Sequence, residues 1–316
     1  MSKPASARRA VNGVLLLDKP TGITSNAAIQ RVKRLFAAEK AGHVGTLDPM
    51  AGGLLPVCLG EATKFSTDLF DADKSYRAEV LLGVTTDTGD REGEITSRHS
   101  VNVTRDELAA VLVKFTGPLA QTPPMYSALK RDGKPLYEYA RAGVTLERAP
   151  RSITIHSMAL LNFAAERFSI NVSCTKGTYI RVLAEDIGAA LGCGATLAGL
   201  TRTRVGSFDL VQAVTLAALE QMPEAQKNAS LLAVDCLAAG LPALALDAGA
   251  VTRILQGQVA QVEVPGAGAG RVRLYGPEGR FLGLAELDRG GRLLPKRLIA
   301  TSKVAAAARD GHQQAP

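Results

Sequence analysis

Phe168, Ile170, Val172 and Cys174 alternate with Ser169, Asn171, Ser173 and Thr175. A period of two puts the four apolar side chains on one face of a strand. That face has to be covered, so the segment belongs to a layered domain. A helix follows. The pattern predicts Thr178 as its N-cap, Val182, Leu183, Ile187 and Leu191 along its length, and a stop at Gly192.

The rest of the chain also mixes strand and helix. Gly13 to Asp18 reads as a strand, followed by the turn Lys19-Pro20-Thr21-Gly22. Ser25 to Lys40 reads as a helix with Ser25 as N-cap and Ile29, Val32 and Phe36 on one face. Tyr76 to Val84 reads as a strand, with a polar turn from Thr85 to Asp90. Thr104-Arg105-Asp106-Glu107 is a capping box opening a helix to about Lys114. Leu197 to Phe208 reads as a strand with Arg202 and Arg204 on one face. The texture changes near Leu241-Pro242. A short helix, Val251 to Gln256, ends at Gly257. Strands then follow at Arg271 to Tyr275, Phe281 to Leu287 and Leu293 to Ile299, as a small separate β-rich module. A length of 316 residues suits one large domain plus a small one.

The formal charge of +7 favours polyanionic partners. From Val251 onward, ten Lys/Arg face five Asp/Glu, so the last fifth carries most of the excess. A second basic stretch, Gln121 to Arg151, has four prolines and six Lys/Arg against three acids. Tyr126, Tyr137 and Tyr139 are interleaved with these charges, which favours a functional arm over a disordered insertion. Cys58, Cys174, Cys193 and Cys236 show no CxxC spacing and no histidine cluster, which argues against a zinc site or a disulfide framework and suits a reducing cytosol. No stretch has the length of a membrane span, and Val14-Leu15-Leu16-Leu17 reads as a buried strand rather than a signal peptide.

Reactive chemistry concentrates in Gly42-His43-Val44-Gly45-Thr46-Leu47-Asp48-Pro49-Met50-Ala51-Gly52-Gly53-Leu54-Leu55-Pro56. Asp48 is the only ionisable acid in a loop shaped by four glycines and two prolines. It reads either as a turn aspartate or as a fixed nucleophile or general base. Arg181 falls in the first turn of its helix, where the dipole disfavours a cation by about 0.3–1 kcal/mol. It either points into water or pairs with an acid from elsewhere, and Asp48 is a candidate. Tyr76 and Tyr179 suit core packing or stacking on a base. His43 is structural, or an acid, a base or a wedge. No GxxxxGK[ST] loop, GxGxxG turn after a strand or GxSxG elbow is present, and no paired carboxylate suits a glycosidase.

The Gly42–Pro56 run, continued by Val57-Cys58-Leu59-Gly60-Glu61-Ala62-Thr63-Lys64, resembles the catalytic motif of the tRNA pseudouridine synthase B family. Further blocks resemble that family in its order. They are Gly13 to Ser25, Lys74-Ser75-Tyr76, Gly83 to Asp90, Gln121 to Ala128, Lys176 to Arg181, Leu200-Thr201-Arg202-Thr203 and Pro295-Lys296-Arg297-Leu298. The resemblance implies a mixed α/β (α+β) pseudouridine synthase fold with a curved, largely antiparallel sheet, and a small C-terminal β-rich PUA-like domain. It implies a catalytic domain over 10–245 with an RNA-binding arm at 121–151, a PUA-like RNA-binding domain over 246–303 and a disordered tail at 304–316. The implied reaction isomerises uridine 55 in the T-arm loop of tRNA, in the cytoplasm, by a monomer needing no protein partner. Asp48 matches the catalytic aspartate, Arg181 its partner, and Tyr76 the tyrosine stacking on the flipped uracil. His43 matches a residue filling the vacated space, and Tyr179 and Leu200 match substrate-pocket positions. The isomerisation conserves atoms and electrons, so no cofactor and no metal is expected. A guide-RNA-dependent synthase and an RNA chaperone acting without catalysis are the competing readings. The loop glycines are expected to leave room for the extruded nucleotide.

Overall fold

The computed structural model describes residues 8–263 and 268–300. The expected tail at 304–316 and the last three residues of the expected C-terminal domain lie outside the described residues.

Ten strands form one sheet: β1 (Gly13–Lys19), β2 (Ala41–His43), β3 (Ala51–Leu59), β4 (Lys74–Leu82), β5 (Gly117–Gln121), β6 (Arg151–Ala164), β7 (Arg167–Cys174), β8 (Ala195–Val205), β9 (Phe208–Asp209) and β10 (Val214–Thr215). The order is β10-β1-β3-β8-β4-β7-β6-β5, with β2 beside β3 and β9 beside β8. Two pairs are parallel, β1 with β10 and β3 with β8, and the others are antiparallel. Bulges interrupt β6 and β8 and add twist. This is a mixed α+β fold with a large curved sheet. On β7, Phe168, Ile170, Val172 and Cys174 are each at most 2% exposed, as their alternation predicts. The bulge between Arg202 and Arg204 separates the two arginines, so Arg202 is buried and Arg204 exposed rather than both sharing one face.

Every residue of β3 is buried because both faces of the sheet are covered there. Leu55, Val57 and Leu59 join Leu15 and Leu17 of β1 in one core, together with Val32 from the helix α1 (Ser25–Leu35) and its C-cap residue Phe36. Leu54 and Cys58 join Val14 and Leu16 in a second core on the opposite face. Each such side chain contributes about 1.5–3 kcal/mol by leaving water. The N-cap of α1 is Thr24, not Ser25, and the helix ends at Leu35 because Ala37 takes φ 48°. The capping box at Thr104 forms as expected and opens α2 (Arg105–Lys114). The arm holds a short hairpin, Lys130–Arg131 with Lys134–Pro135, and α3 (Leu136–Arg141). Between β7 and β8 lies α4 (Ile180–Ala190), which packs on β8 and ends before Gly192 at φ 77°.

The C-terminal five-stranded sheet comprises β11 (Ala243–Ala245), β12 (Ala260–Gln261), β13 (Gly270–Tyr275), β14 (Phe281–Leu287) and β15 (Arg292–Leu298), in the order β11-β13-β14-β15-β12. The helix α5 (Ala248–Leu255) begins earlier than its apolar pattern suggests, capped by Asp247. This unit is less separate than the sequence suggests. Leu284 belongs to the same core as Val14, Leu54 and Phe65. The Phe65 and Phe281 rings meet edge to face at 5.4 Å, and Arg271 makes a two-pronged contact with Asp68 at 2.6 and 2.8 Å. No described helix is long and apolar enough to cross a membrane.

At its outer side β1 is closed by late segments of the chain. Leu17 and Asp18 pair with Val214 and Thr215, and Val14 exchanges two backbone hydrogen bonds of 2.9 Å with Leu232.

Candidate active site

Asp48 lies in the turn between β2 and β3, and neighbouring elements fix that turn. Ser25, freed from capping, is buried and gives its hydroxyl to Leu47 as both acceptor (2.9 Å) and donor (3.0 Å). The Pro49 carbonyl accepts from Gly22 N–H at 2.7 Å. The acid is thus held from both sides through its neighbours' backbone. Its side chain remains 39% exposed, at the mouth of a cleft.

Arg181, in the first turn of α4, reaches this carboxylate. Its Nε is 3.1 Å from Asp48 Oδ2 and 3.6 Å from Asp90 Oδ2. Its Nη1 donates to the Thr88 carbonyl at 2.9 Å and its Nη2 to the Tyr126 carbonyl at 2.6 Å. The guanidinium therefore joins Asp48, the Thr85–Asp90 turn and the arm. Asp90 is itself oriented by the Thr88 hydroxyl (2.8 Å) and Glu92 N–H (3.0 Å). Desolvation is the largest influence on Asp48 and holds its carboxyl above the usual range. Arg181 and Lys19 pull it back, and Asp90 adds to the rise.

Of the other expected residues, Tyr76, Leu200 and His43 lie on strands and Tyr179 at the start of α4. Tyr76, on β4, is in register with Val172 and Arg202 on either side. Burial raises its phenol's pKa, and Arg202 opposes that rise. Leu200, on β8, is in register with Ala51 and Ala78 and packs partly against the first core. Tyr179 is the N-cap residue of α4. The expected cap, Thr178, instead donates its hydroxyl to the Thr175 carbonyl at 2.9 Å. His43 ends β2, and burial followed by the Arg202 charge lowers its pKa, so the ring is neutral. Its Nδ1 is buried without a hydrogen-bond partner.

Four residues at this cleft were not singled out by local sequence reasoning. Asp90 and Gln121 are two. Lys19 is fully buried, with Nζ donating to the carbonyls of Pro20 (2.9 Å) and Ile23 (2.7 Å). Burial lowers its pKa to about 8, opposed by Asp48 and Glu92 and assisted by Arg202. Arg202 is 1% exposed and donates to the carbonyls of Leu54 (2.8 Å) and Gly45 (2.9 Å). The Arg202 partners come from distant parts of the chain, and no local pattern signals them.

The loop glycines face protein rather than open space. Gly45, at φ 73°, leaves room for Arg202 Nη1, which a Cβ would approach to 3.0 Å. A Cβ on Gly53, at φ 95°, would overlap the Arg202 backbone of the neighbouring strand. Gly45 and Gly53 thus admit β8 and its arginine, in place of the expected room for a nucleotide, and Gly52 lies against Lys19 and Thr21.

The arm aromatics carry cations: Lys134 lies 4.8 Å from the Tyr139 ring centre and Arg141 lies 5.4 Å from that of Tyr137. A pocket of about 260 Å³ on the arm is lined by Pro123, Lys130, Arg131, Arg148 and Arg151 among others, and by none of the cleft residues above. Among the described residues no group of His, Cys, Asp and Glu has a metal-holding arrangement.

Residues 33–180 match the family described as TruB family pseudouridylate synthase (N terminal domain). Residues 181–238 match the tRNA pseudouridylate synthase B C-terminal domain, and 242–299 match Pseudouridine synthase II TruB, C-terminal. The chain is 58% identical over 294 residues to a tRNA pseudouridine synthase B of Azoarcus sp. (strain BH72), covering 93% of this chain and 97% of that protein. It is 54% identical over 304 residues to a tRNA pseudouridine synthase B of Cupriavidus metallidurans, covering 94% and 96%. Among solved structures it is similar to a chain of a Cbf5-Nop10-Gar1 complex, with TM-score 0.69 and 26% identity over 92% of this chain and 86% of that one.

Proposed function

The chain belongs to the TruB family of pseudouridylate synthases, and from that premise we propose that it isomerises uridine 55 in the T-arm loop of tRNA to pseudouridine, with Asp48 as nucleophile. The observation that carries the assignment is the Asp48 carboxylate, still 39% exposed, set 3.1 Å from the buried Arg181 and close enough to Tyr76 for its charge to act on that phenol.

The target base must leave its stack, at a cost of roughly a few kcal/mol. Phosphate contacts from the basic arm and the C-terminal unit offset that cost. His43, neutral at the mouth of the same loop, fills the vacated space. Tyr76 stacks on the extruded uracil, and Tyr179 and Leu200 line its pocket. Arg181 keeps Asp48 ionised and aimed against the desolvation that favours its protonated form. Asp48 then adds to C1′ or C6. The N1–C1′ bond breaks, the base turns and C5–C1′ forms. The bond to Asp48 breaks in turn, displaced from C1′ by C5 or eliminated from C6, which frees the carboxylate. The C5 proton leaves as N1 gains one, so nothing is oxidised or reduced. We assign the residues from 10 up to β11 to catalysis, with 121–151 as its RNA-binding arm, and those from Ala243 to 303 to a PUA-like RNA-binding unit. The boundary falls slightly before the expected 245/246 because β11 pairs within the C-terminal sheet. The enzyme acts as a cytoplasmic monomer without a protein partner.

The guide-dependent reading is favoured by the structural neighbour named as a Cbf5-Nop10-Gar1 complex, an assembly with protein partners. Mapping pseudouridine in an unmodified tRNA transcript treated with the protein alone tests the assignment. Product at position 55 is expected. Product only after a guide RNA is added overturns the stand-alone reading. An RNA chaperone acting without catalysis would leave the transcript refolded but without pseudouridine.

A further inference from the structure

The amino end of α4 lacks the ordinary supports of a helix start. The first N–H groups of any helix lack intrahelical partners, and a Ser, Thr, Asp or Asn side chain commonly takes one. Here the N-cap residue is Tyr179, which makes no side-chain cap, while the Thr178 hydroxyl is turned back to Thr175. The first turn holds no acid, and Arg181 places a cation at the positive end of the dipole. Yet this is the turn that must hold a guanidinium 3.1 Å from Asp48.

Support comes from Gln121, the last residue of β5, where the arm leaves the sheet. Its side chain is buried, the residue being 4% exposed. Its Oε1 accepts from Tyr179 N–H at 2.8 Å, and its Nε2 donates to the Tyr179 carbonyl at 3.1 Å. Both ends of the amide are therefore matched to the backbone of one residue, which fixes the two peptide planes where the helix begins. Five residues into the arm, the Tyr126 carbonyl receives Arg181 Nη2.

We propose that Gln121 is a positioning residue for the cleft, its amide standing in for the missing cap of α4 and setting, through the Tyr179 backbone, the angle at which Arg181 meets Asp48. This rests on the reading of the cleft as the uridine site. It gives the root of the arm a task distinct from gripping RNA. Displacing a reacting group by about 1 Å costs up to about a hundredfold in rate.

The test uses the full chain and a tRNA transcript, with single-turnover rate, tRNA affinity and melting temperature measured together. Gln121→Leu keeps the bulk but neither donates nor accepts. Its rate at saturating enzyme should fall about 10–100-fold with tRNA affinity within about threefold of wild type. Gln121→Glu gives a sharper readout. A protonated carboxyl reproduces the donor and acceptor pair, whereas a carboxylate faces the Tyr179 carbonyl with like charge. Its rate relative to wild type, measured from about pH 5 to 8, should therefore drop as pH rises through the titration of that acid, which burial shifts upward against the charges of Arg151 and Arg181. A purely structural role would lower the melting temperature and leave that ratio flat. A wild-type rate in Gln121→Leu, or a pH-independent ratio in Gln121→Glu, overturns the proposal. Should Gln121→Leu not fold, the Gln121→Glu ratio decides alone. Absence of pseudouridine with the wild-type protein instead condemns the uridine reading on which the proposal rests.

Discussion

Two arginines flank the cleft, and they are held in opposite ways. Arg181 and Arg202 are 5% and 1% exposed, and both donate to backbone carbonyls. Arg181 also faces two carboxylates, Asp48 and Asp90. Arg202 has none among the described residues, and burial lowers its pKa, with Tyr76 opposing. A buried cation without a counter-charge costs several kcal/mol unless dipoles replace its water. At Arg202 the carbonyls of Gly45 and Leu54 supply those dipoles, and in return the arginine ties the Asp48 loop to β3 and β8. The matched charge therefore tunes the acid, while the unmatched one holds the frame in which the acid sits.

The strongest test of this contrast removes the acid itself. Asp48→Asn should lower pseudouridine formation by at least about a thousandfold while tRNA binding survives, because the proposed mechanism rests on one nucleophile. Product formation at the wild-type rate would strip Asp48 of its role and Arg181 of its distinction. Next come the arginines. Arg181→Met should reduce the single-turnover rate by about a hundredfold, since Asp48 then faces Asp90 without a shared cation. Arg202→Met should instead lower stability by about 2–4 kcal/mol in urea, leaving buried carbonyls unpaired, with a smaller loss of rate per folded molecule. If the two variants exchange these signatures, the division of labour is wrong.

A smaller effect concerns pH. The folded protein holds the Asp48 carboxyl above its unfolded value, so folding favours the protonated acid. The stabilisation this gives is complete below the unfolded value and disappears as pH rises through the folded one. At neutral pH the ionised acid is a burden, and Asp48→Asn should melt about 1–2 °C higher than wild type, the half-exposed side chain limiting the gain. The difference should vanish near pH 3, and a lower melting temperature at pH 7 would contradict the sign. The smallest change expected is at Arg271, whose 42% exposed side chain pairs with Asp68. Arg271→Ala should cost under about 1 kcal/mol by denaturant titration, a baseline for an ion pair outside the cleft.

Strand periodicity made β7 legible, because alternation reports burial directly, and the Gly-rich breaks marked β13, β14 and β15 of the second sheet but not the short β11 and β12. The odd placement of Arg181 was legible too, since a cation in a first helical turn needs an outside partner. Caps were misread twice, at Ser25 and Thr178, for one reason: each hydroxyl is taken by a tertiary or turn carbonyl instead of its helix. Arg202 and Arg204 were placed on one face because a bulge leaves no mark in a two-residue period. Gln121 and Arg202 owe their roles to hydrogen-bond partners far away in the chain, and Lys19 and Asp90, though bonded locally, owe theirs to the distant charges of Asp48 and Arg181.

The closure of β1 by Val214, Thr215 and Leu232 bears on how the protein is made. During translation the strand pairs early with β3, but its other edge waits for roughly 200 more residues, about 10–40 s at ordinary elongation rates. Throughout that interval a strand bearing Val14-Leu15-Leu16-Leu17 shows an open edge to the crowded exit of the ribosome. A nascent chain stalled before residue 214 is therefore the form of this protein most exposed to aggregation and most in need of a chaperone.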